Sequence, residues 1–386
     1  MGASIEKVRI DEILEGYNPK KNSDITIATI GSHTAQQIVQ GAKDKGFRTL
    51  LIIKEADRIT YEGFAECRPD EYIVVKDFKE ILKPDMQDDL RKRNAIIIPH
   101  GSFVAYVGGE DLLESYEVPM LGNRKTLYLE SSRKRQKEWL HDKAGIKMPR
   151  QWDSVEDVPF GAEDAPKLFF VKYSGAPGGK GFFTFKTKDE FLKNVLLARH
   201  KKEIKEDDNA ITIQEYIPGN RHYLHFFATP FFDKGLKVGE YNLELLSEDR
   251  RDEAADELHR IGFDHEKLKE LGIIPDFTVI GNIPLVLREK LIGRGFELGK
   301  RVLESSVELV GGMMGPFCLE TVVTKDEQFY CFEISTRIVA GTNLYTKDCP
   351  HPYTVKTWGK GMSHGDRIAL EIEEGIKRKE LHKIIY

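Results

Sequence analysis

Two acidic residues carry the most specific chemistry in the sequence. The apolar run PFCLETVVT, residues 316–324, is followed by a short polar stretch, 325–328, and then by FYCFEISTR, residues 329–337. This reads as two strands around a turn. If 325–328 form the loop, Thr324 faces Phe329, and stepping back along both strands brings Glu320 opposite Glu333. Side chains directly opposite share a face about 4.5–5.5 Å apart. Two carboxylates so placed repel unless both point into solvent or a cation lies between them, and their largely apolar neighbours favour the cation. Hard oxygen donors completed by phosphate oxygens suit Mg²⁺, with Mn²⁺ as the alternative. Arg337, just past the second strand, lies within reach of a phosphoryl group.

A second group of residues is suited to holding phosphates. The strand LFFVK ends in Lys172, and the loop YSGAPGGKG after it contains Gly175, Gly178, Gly179, Lys180 and Gly181 before another strand begins. Glycines let backbone N–H groups approach phosphate oxygens, and a lysine on a rigid strand neutralises them. The Walker A spacing is missing, so a hairpin folding over a nucleotide fits better than a P-loop. Further on, ITIQEYIPG places Glu215, Tyr216 and Ile217 at the end of a strand, where free backbone groups could read an adenine edge. The bland alternatives are a surface hairpin and an ordinary strand entering a Pro-Gly turn.

These groups need elements to position them. Residues 25–30 are mostly apolar or β-branched, and Ala35, Ile38, Val39 and Ala42 follow at helical spacing before a second apolar strand, Thr49–Ile53. That is a βαβ unit. Tyr72–Val75 and Ala95–Ile98 add two strands, separated by the charged helical run Phe78–Arg93, so residues 25–125 form a parallel, Rossmann-like α/β domain. Two turns, Gly31-Ser32-His33 and Pro99-His100-Gly101-Ser102-Phe103, fall at strand carboxyl ends, where open α/β sheets bind ligands. Either His33 or Thr34 merely caps the helix there, or the turn holds a ligand. The G-x-G-x-x-G fingerprint is absent, so a nicotinamide cofactor is not indicated.

Residues 1–24 read as a polar lead-in, 126–240 as a small α+β unit with the glycine hairpin, and 241–386 as a larger unit. The latter holds a helix over 285–310, the strand pair and a closing helix over 366–380. With 40% hydrophobic and 31% charged residues and a net charge of -5, the 386-residue chain reads as an ordinary globular protein with no general affinity for nucleic acid. No apolar run approaches the ~18 residues of a membrane span and nothing resembles a signal peptide, which points to the cytoplasm. Cys67, Cys318, Cys331 and Cys349 form no C-x-x-C pair and are expected to be buried thiols.

A lysine strand, a glycine hairpin, a hinge strand and a terminal Glu…Glu-x-Ser-x-Arg, in that order, resemble the ATP-grasp superfamily, whose usual ending is Glu-x-Asn-x-Arg; here Ser335 takes the asparagine position. Within it, GSHTAQQIVQGAKDKGFRTL, HGSFVAYVG, MLGNR, GNIPLVLRE and GPFCLE…FEISTRIVAGTN resemble the archaeal formate-dependent 5-formaminoimidazole-4-carboxamide ribonucleotide (FAICAR) synthetases. The resemblance implies an N-terminal Rossmann-like domain followed by an ATP-grasp fold. It further implies a ligase that activates formate with ATP as formyl phosphate and transfers the formyl group to aminoimidazole carboxamide ribonucleotide (AICAR), with assembly as a homo-oligomer. By position, His33, Ser102 and Asn282 would contact AICAR, and Lys172, the 175–181 loop, Glu215–Ile217 and Glu244 would contact ATP. Glu320 and Glu333 would hold the metal, with His33, Lys172 and Arg337 as the catalytic residues. His100, Tyr173, Ser174, Pro177 and the run RRDEAADEL depart from the family pattern around the presumed acceptor. A paralogous ligase acting on a related substrate and a non-catalytic nucleotide sensor are the alternatives.

Overall fold

The structure is a computed structural model that describes residues 4–173, 183–200, 211–253, 262, 264–272, 279–348 and 351–386. Strands β1 (Thr26–Ile30), β2 (Arg48–Ile53), β3 (Glu71–Val74) and β4 (Ala95–Ile97) form a parallel sheet in the order β3-β2-β1-β4. β1 and β4 are buried throughout, as expected of parallel strands covered on both faces. The chain leaves β1 toward β2 on one side and returns to β4 on the other. The strand order therefore reverses between β1 and β4, and the crevice beyond their carboxyl ends is the topological switch point.

The segment expected to be a lead-in is instead a helix, α1 (Lys7–Tyr17), which buries Ile10, Leu14 and Tyr17. The Tyr17 hydroxyl donates to the Ala95 carbonyl at 3.2 Å and so pins α1 to the end of β4. Helix α2 (Ala35–Asp44) follows β1. Helices α3 (Arg124–Glu130) and α4 (Arg133–Lys137) then lead into a small antiparallel sheet, β5 (Gln151–Trp152), β6 (Phe169–Tyr173), β7 (Phe183–Phe185) and β8 (Ile211–Glu215), in the order β5-β8-β6-β7. Its core stacks Phe169 on Phe185 beneath Phe191 of α5 (Lys188–His200).

The large sheet is antiparallel and contains β9 (Asn220–Thr229), β10 (Leu236–Val238), β11 (Tyr241–Glu253), β12 (Val279–Pro284), β13 (Gly315–Val323) and β14 (Phe329–Ser335). The order is β10-β11-β9-β13-β14, with β12 paired to the far end of β11. One face carries Leu224, Phe226, Leu243, Leu245, Phe317 and Leu319, packed under the long helix α6 (Glu289–Val310). The opposite face turns toward the N-terminal sheet. The closing helix α7 (His364–Arg378) starts at a Ser363–Asp366 capping box. It inserts Ile368, Ile372 and Ile376 into a core shared with Ile10, Ile27, Ile38 and Ile96, so both ends of the chain belong to one packed body. Cys318 and Cys331 are buried free thiols, whereas Cys67 is partly exposed, and Cys349 lies outside the described residues.

Where α2 crosses α7, glycines let the backbones touch. A methyl group on Gly365 would lie 1.8 Å from the Gln37 carbonyl oxygen, and one on Gly41 would lie 2.3 Å from the Gly365 carbonyl carbon. Gly365→Ala is expected to cost about 1–3 kcal/mol through overpacking, read as a lower urea midpoint at unchanged slope. Gly16→Ala, whose methyl would meet nothing, is expected to leave the midpoint unchanged or raise it.

Candidate functional site

The polar face of the large sheet is organised in rows. Asp249, Tyr223, Glu320 and Glu333 are in register on β11, β9, β13 and β14, and directly opposed residues share a face. The Glu320–Glu333 pairing is as expected, but by another route. Near the turn, Val323 pairs with Phe329 and Thr321 with Cys331, one residue out of the expected register. A bulge between Glu320 and Thr321 absorbs the offset and restores the carboxylate pair. The turn spans 324–328, with Glu327 in the left-handed region at φ 61 and the Thr324 N–H donating to the Gln328 carbonyl.

Both carboxylates are partly buried. Burial, and then the neighbouring Glu333, raise the Glu320 pKa above its ordinary value, against the opposing pull of Arg251, Arg337 and Arg133. Arg251 donates from Nη2 to Glu320 Oε1 at 3.1 Å, and Arg133 from Nη1 to Glu333 Oε2 at 2.7 Å. The Arg251 guanidinium lies over the Tyr223 ring, 4.8 Å from its centre. Arg337 is held through Nε by Glu130 Oε1 at 3.1 Å, while the other Glu130 oxygen accepts from the Thr336 N–H and hydroxyl. Two facing carboxylates that already need two guanidinium partners form a donor set suited to a hard divalent cation. Among the described residues, no group of three or more His, Cys, Asp or Glu side chains makes a complete cage. A cation here would draw its remaining ligands from water or phosphate.

Facing this row is the switch point of the parallel sheet. His33 has φ 47, a left-handed conformation that costs an L residue about 1–2 kcal/mol, and its carbonyl accepts from Asn343 Nδ2 at 2.7 Å. Its Nδ1 lies 3.0 Å from both the Ser32 and the Ser102 hydroxyls. Neither His33 nor Thr34 caps α2 through its side chain, which removes the capping alternative. The ring stacks on His100, with centres 5.6 Å apart. The short distance from His100 Nε2 to the Ile30 carbonyl, 2.7 Å, assigns the proton to Nε2, and Nδ1 then accepts from the Ser102 N–H. Gly101 permits a close approach here, because a Cβ there would lie 2.9 Å from His33 Nε2 and 3.4 Å from Arg337 Nη2. The His33 ring keeps an exposed edge along the cleft. Burial of the remainder, then the charges of Arg337 and Arg251, push its pKa down to about 4. Burial pushes His100 down to about 3. Both rings are neutral at pH 7.

The remaining expected residues fall in several places. Asn282, paired with Arg251, donates to Asp249 Oδ2 at 2.7 Å. Asp249 Oδ1 lies 2.9 Å from His225 Nε2 and against Gly341, two residues before the Asn343 that holds His33, so Asn282 joins the site through this chain. Lys172 pairs with Thr212 in β6, but its side chain and the loop with Gly175, Gly178, Gly179, Lys180 and Gly181 lie outside the described residues. At the hinge, the sheet already uses two of the amides expected to be free. The Glu215 N–H donates to the Arg150 carbonyl and that of Tyr216 to the Leu168 carbonyl, while the Glu215 carboxylate accepts from Arg150. Glu244 is not in the cleft. It is fully buried, with both oxygens held by Arg367 at 2.9 and 3.0 Å and a further bond from Trp358, so it braces α7 and is unavailable to a nucleotide. Arg133, Arg251, Glu130, Tyr223 and Asp249 were not expected; the alternating polar positions of SEDRRDE on a strand are the one sequence signal that could have singled out Asp249 and Arg251.

Residues 190–386 match a family described as a domain of unknown function, DUF1297, and residues 27–152 match one described as a protein of unknown function, DUF1246. The 5-formaminoimidazole-4-carboxamide-1-(beta)-D-ribofuranosyl 5'-monophosphate synthetase 1 of Methanosarcina mazei is 46% identical over 382 residues, 99% of either chain. Among solved structures, the IMP biosynthesis protein PurP from Thermococcus kodakaraensis is similar with a TM-score of 0.68 and 28% identity, covering 93% of this chain and 100% of that one. The N5-carboxyaminoimidazole synthetase of Staphylococcus aureus, complexed with ADP, shares the fold at 15% identity, with a TM-score of 0.61 over 92% of this chain and 79% of its own. Identity of this order along the whole length means that the chain belongs to the 5-formaminoimidazole-4-carboxamide ribonucleotide synthetase family, built on an ATP-grasp fold behind a Rossmann-like domain.

Proposed function

We propose that the protein is an ATP- and formate-dependent ligase that converts AICAR to FAICAR through formyl phosphate, releasing ADP and phosphate. The observation that carries this reading is the placement of a neutral imidazole, His33, across two arginines from a pair of facing carboxylates. A group-transfer site needs the same separation, with an acceptor amine at one end and a phosphoryl group at the other.

ATP would be taken by the residues that match the family's nucleotide contacts, Lys172, the 175–181 loop and the Glu215–Ile217 hinge. Glu320 and Glu333 would hold Mg²⁺, which when bound would neutralise charge on the transferring phosphoryl group. Arg337, fixed by Glu130, adds a second positive charge without rearranging. Formate attacks the γ-phosphorus, the bond to the bridging oxygen breaks and ADP departs. AICAR is seated by His33, Ser102 and Asn282, and its amine attacks the formyl carbon as phosphate leaves. The ring amine is a weak nucleophile, so orientation contributes several kcal/mol of the rate, on the order of what positioned reactants gain in general. A neutral His33 can take the proton that the attacking amine sheds. The Ser32 and Ser102 hydroxyls donate or accept as needed, so either tautomer is accommodated.

Glu320→Gln and Glu333→Gln are expected to lower kcat by about a hundredfold or more. Glu333→Gln also leaves Arg133 without its carboxylate, so its thermal midpoint is expected to fall. Wild-type turnover in either variant would remove the metal assignment. Sustained, multiple-turnover ADP release should require formate and AICAR together.

His33 gives a prediction about pH. Its folded pKa of about 4 lies below the unfolded value near 6.5, so its contribution to stability is fully present above about pH 6.5 and is lost as the pH falls through about 4. An NMR titration is expected to show His33 neutral at pH 6, and kcat/KM for AICAR should hold between pH 8 and pH 6. A midpoint near 6.5 would contradict the site electrostatics. His33→Asn, which cannot accept the proton, is expected to impair transfer without changing ATP affinity.

A further inference from the structure

We propose that Arg251 is the formate receptor, masked by Glu320 until a divalent cation takes that carboxylate. The proposal rests on the ligase reading and adds the residue that recognises its smallest substrate.

The three arginines of the cleft are not equivalent. Arg337 is tied by its Nε to the buried Glu130, with its Nη2 beside Gly101. Arg133 comes from α4 and engages Glu333 at the edge strand. Arg251 stands on β11 between the carboxylate row and Asn282, its cross-strand partner. Its side chain is only 14% exposed, its plane is laid on Tyr223, and its anionic partner is Glu320, itself 13% exposed. A divalent cation competes for that same partner. Once Glu320 turns to the cation, Arg251 loses its hydrogen-bonded carboxylate and keeps only the Coulombic pull of Asp249, and a largely desolvated guanidinium without a directly bonded oxyanion is costly unless another takes that place.

The oxyanion required at this place is small. It must stand between a phosphoryl group at Glu320 and Glu333 and an amine at His33, which describes the carboxylate that is to be phosphorylated. Formate is a planar two-oxygen anion that matches the guanidinium fork. AICAR supplies another oxyanion, its 5'-phosphate, but this lies at the far end of the nucleotide from the reacting amine. In the first step one formate oxygen forms the new bond to phosphorus while the bond between the γ-phosphorus and the bridging oxygen breaks. Arg251 holds the other formate oxygen and exchanges no proton.

The test compares wild type with Arg251→Lys, which keeps the charge opposite Glu320 but loses the fork, and with Arg251→Gln. Formate KM is expected to rise about tenfold or more in both, as loss of a charged hydrogen bond predicts, with KM for ATP and AICAR nearly unchanged. Calorimetry without turnover gives the second readout. Formate should bind wild type in the presence of Mg²⁺ and a non-hydrolysable ATP analogue, much more weakly without Mg²⁺, and not measurably to Arg251→Lys that retains its thermal midpoint. Unchanged formate binding in folded variants, or a loss confined to AICAR, overturns the assignment, the latter giving the arginine to the 5'-phosphate. Wild-type protein that releases no ADP in response to formate and AICAR overturns the ligase reading itself, and the assignment with it.

Discussion

The structure turns on two like charges placed face to face. Glu320 and Glu333 occupy one row of the large sheet, where burial and the charge of Glu333 both work against ionisation of Glu320. Each is compensated by an arginine from a different element, Arg251 on β11 and Arg133 on α4. Such pairs contribute little net stability, because desolvation offsets most of the Coulombic gain. The arrangement is better understood as a charge balance that a ligand can re-partition. The neighbouring backbone is braced accordingly. Gln136 accepts the Ile334 N–H and donates to the Glu130 carbonyl, joining β14 to the helices that carry Glu130 and Arg133.

Charge placed on the large sheet is useful only if the N-terminal turns meet it at a fixed distance. The glycine contact between α2 and α7 sets the approach of the two bodies, and the isoleucines around it bury roughly 1.5–3 kcal/mol of apolar side chain each. Nearer the site, a bridge pairs His100 with Ile338, and Asn343 holds the His33 carbonyl. The donor end and the acceptor end are therefore parts of one packed unit, as effective-molarity arguments require of a group-transfer enzyme. The small sheet has its own core of phenylalanines and carries the elements assigned to the nucleotide.

What could be read from sequence was local or periodic. Parallel strands buried on both faces appear as apolar runs, so β1, β2 and β4 were legible, as was the helix after β1. The Glu320–Glu333 pair was legible although the loop register was not, because a bulge moves one residue without altering an apolar pattern. Helix α1 was missed although Ile10, Leu14 and Tyr17 fall at helical spacing, because the segment around them is mostly charged and ends in a polar Asn-Pro-Lys-Lys-Asn run. Glu244 was misplaced for a different reason. An acid in an apolar strand suggests a ligand, and nothing nearby shows that Arg367, 123 positions later, claims both its oxygens. The same holds for Arg133, which sits in the basic run RKRQK with nothing to set it apart until its partner 200 positions away is seen. Long-range charge pairing leaves no local trace.

Burial and the neighbouring arginines together explain the state of His33. A protonated imidazole at the acceptor end would repel Arg337 and Arg251 and could not take a proton from an attacking amine. The two guanidiniums attract the anions that the reaction needs, and their charge adds to burial, the larger cause, in keeping the histidine neutral. His100 strengthens this, since a second buried and neutral ring stacked at 5.6 Å offers no counter-charge that would favour protonation. The left-handed backbone at His33 then has a physical reason. It sets the ring between two hydroxyls and an arginine at the one crevice where the parallel sheet reverses its strand order, so the fold's own switch point and the sheet's charge balance converge on a single side chain.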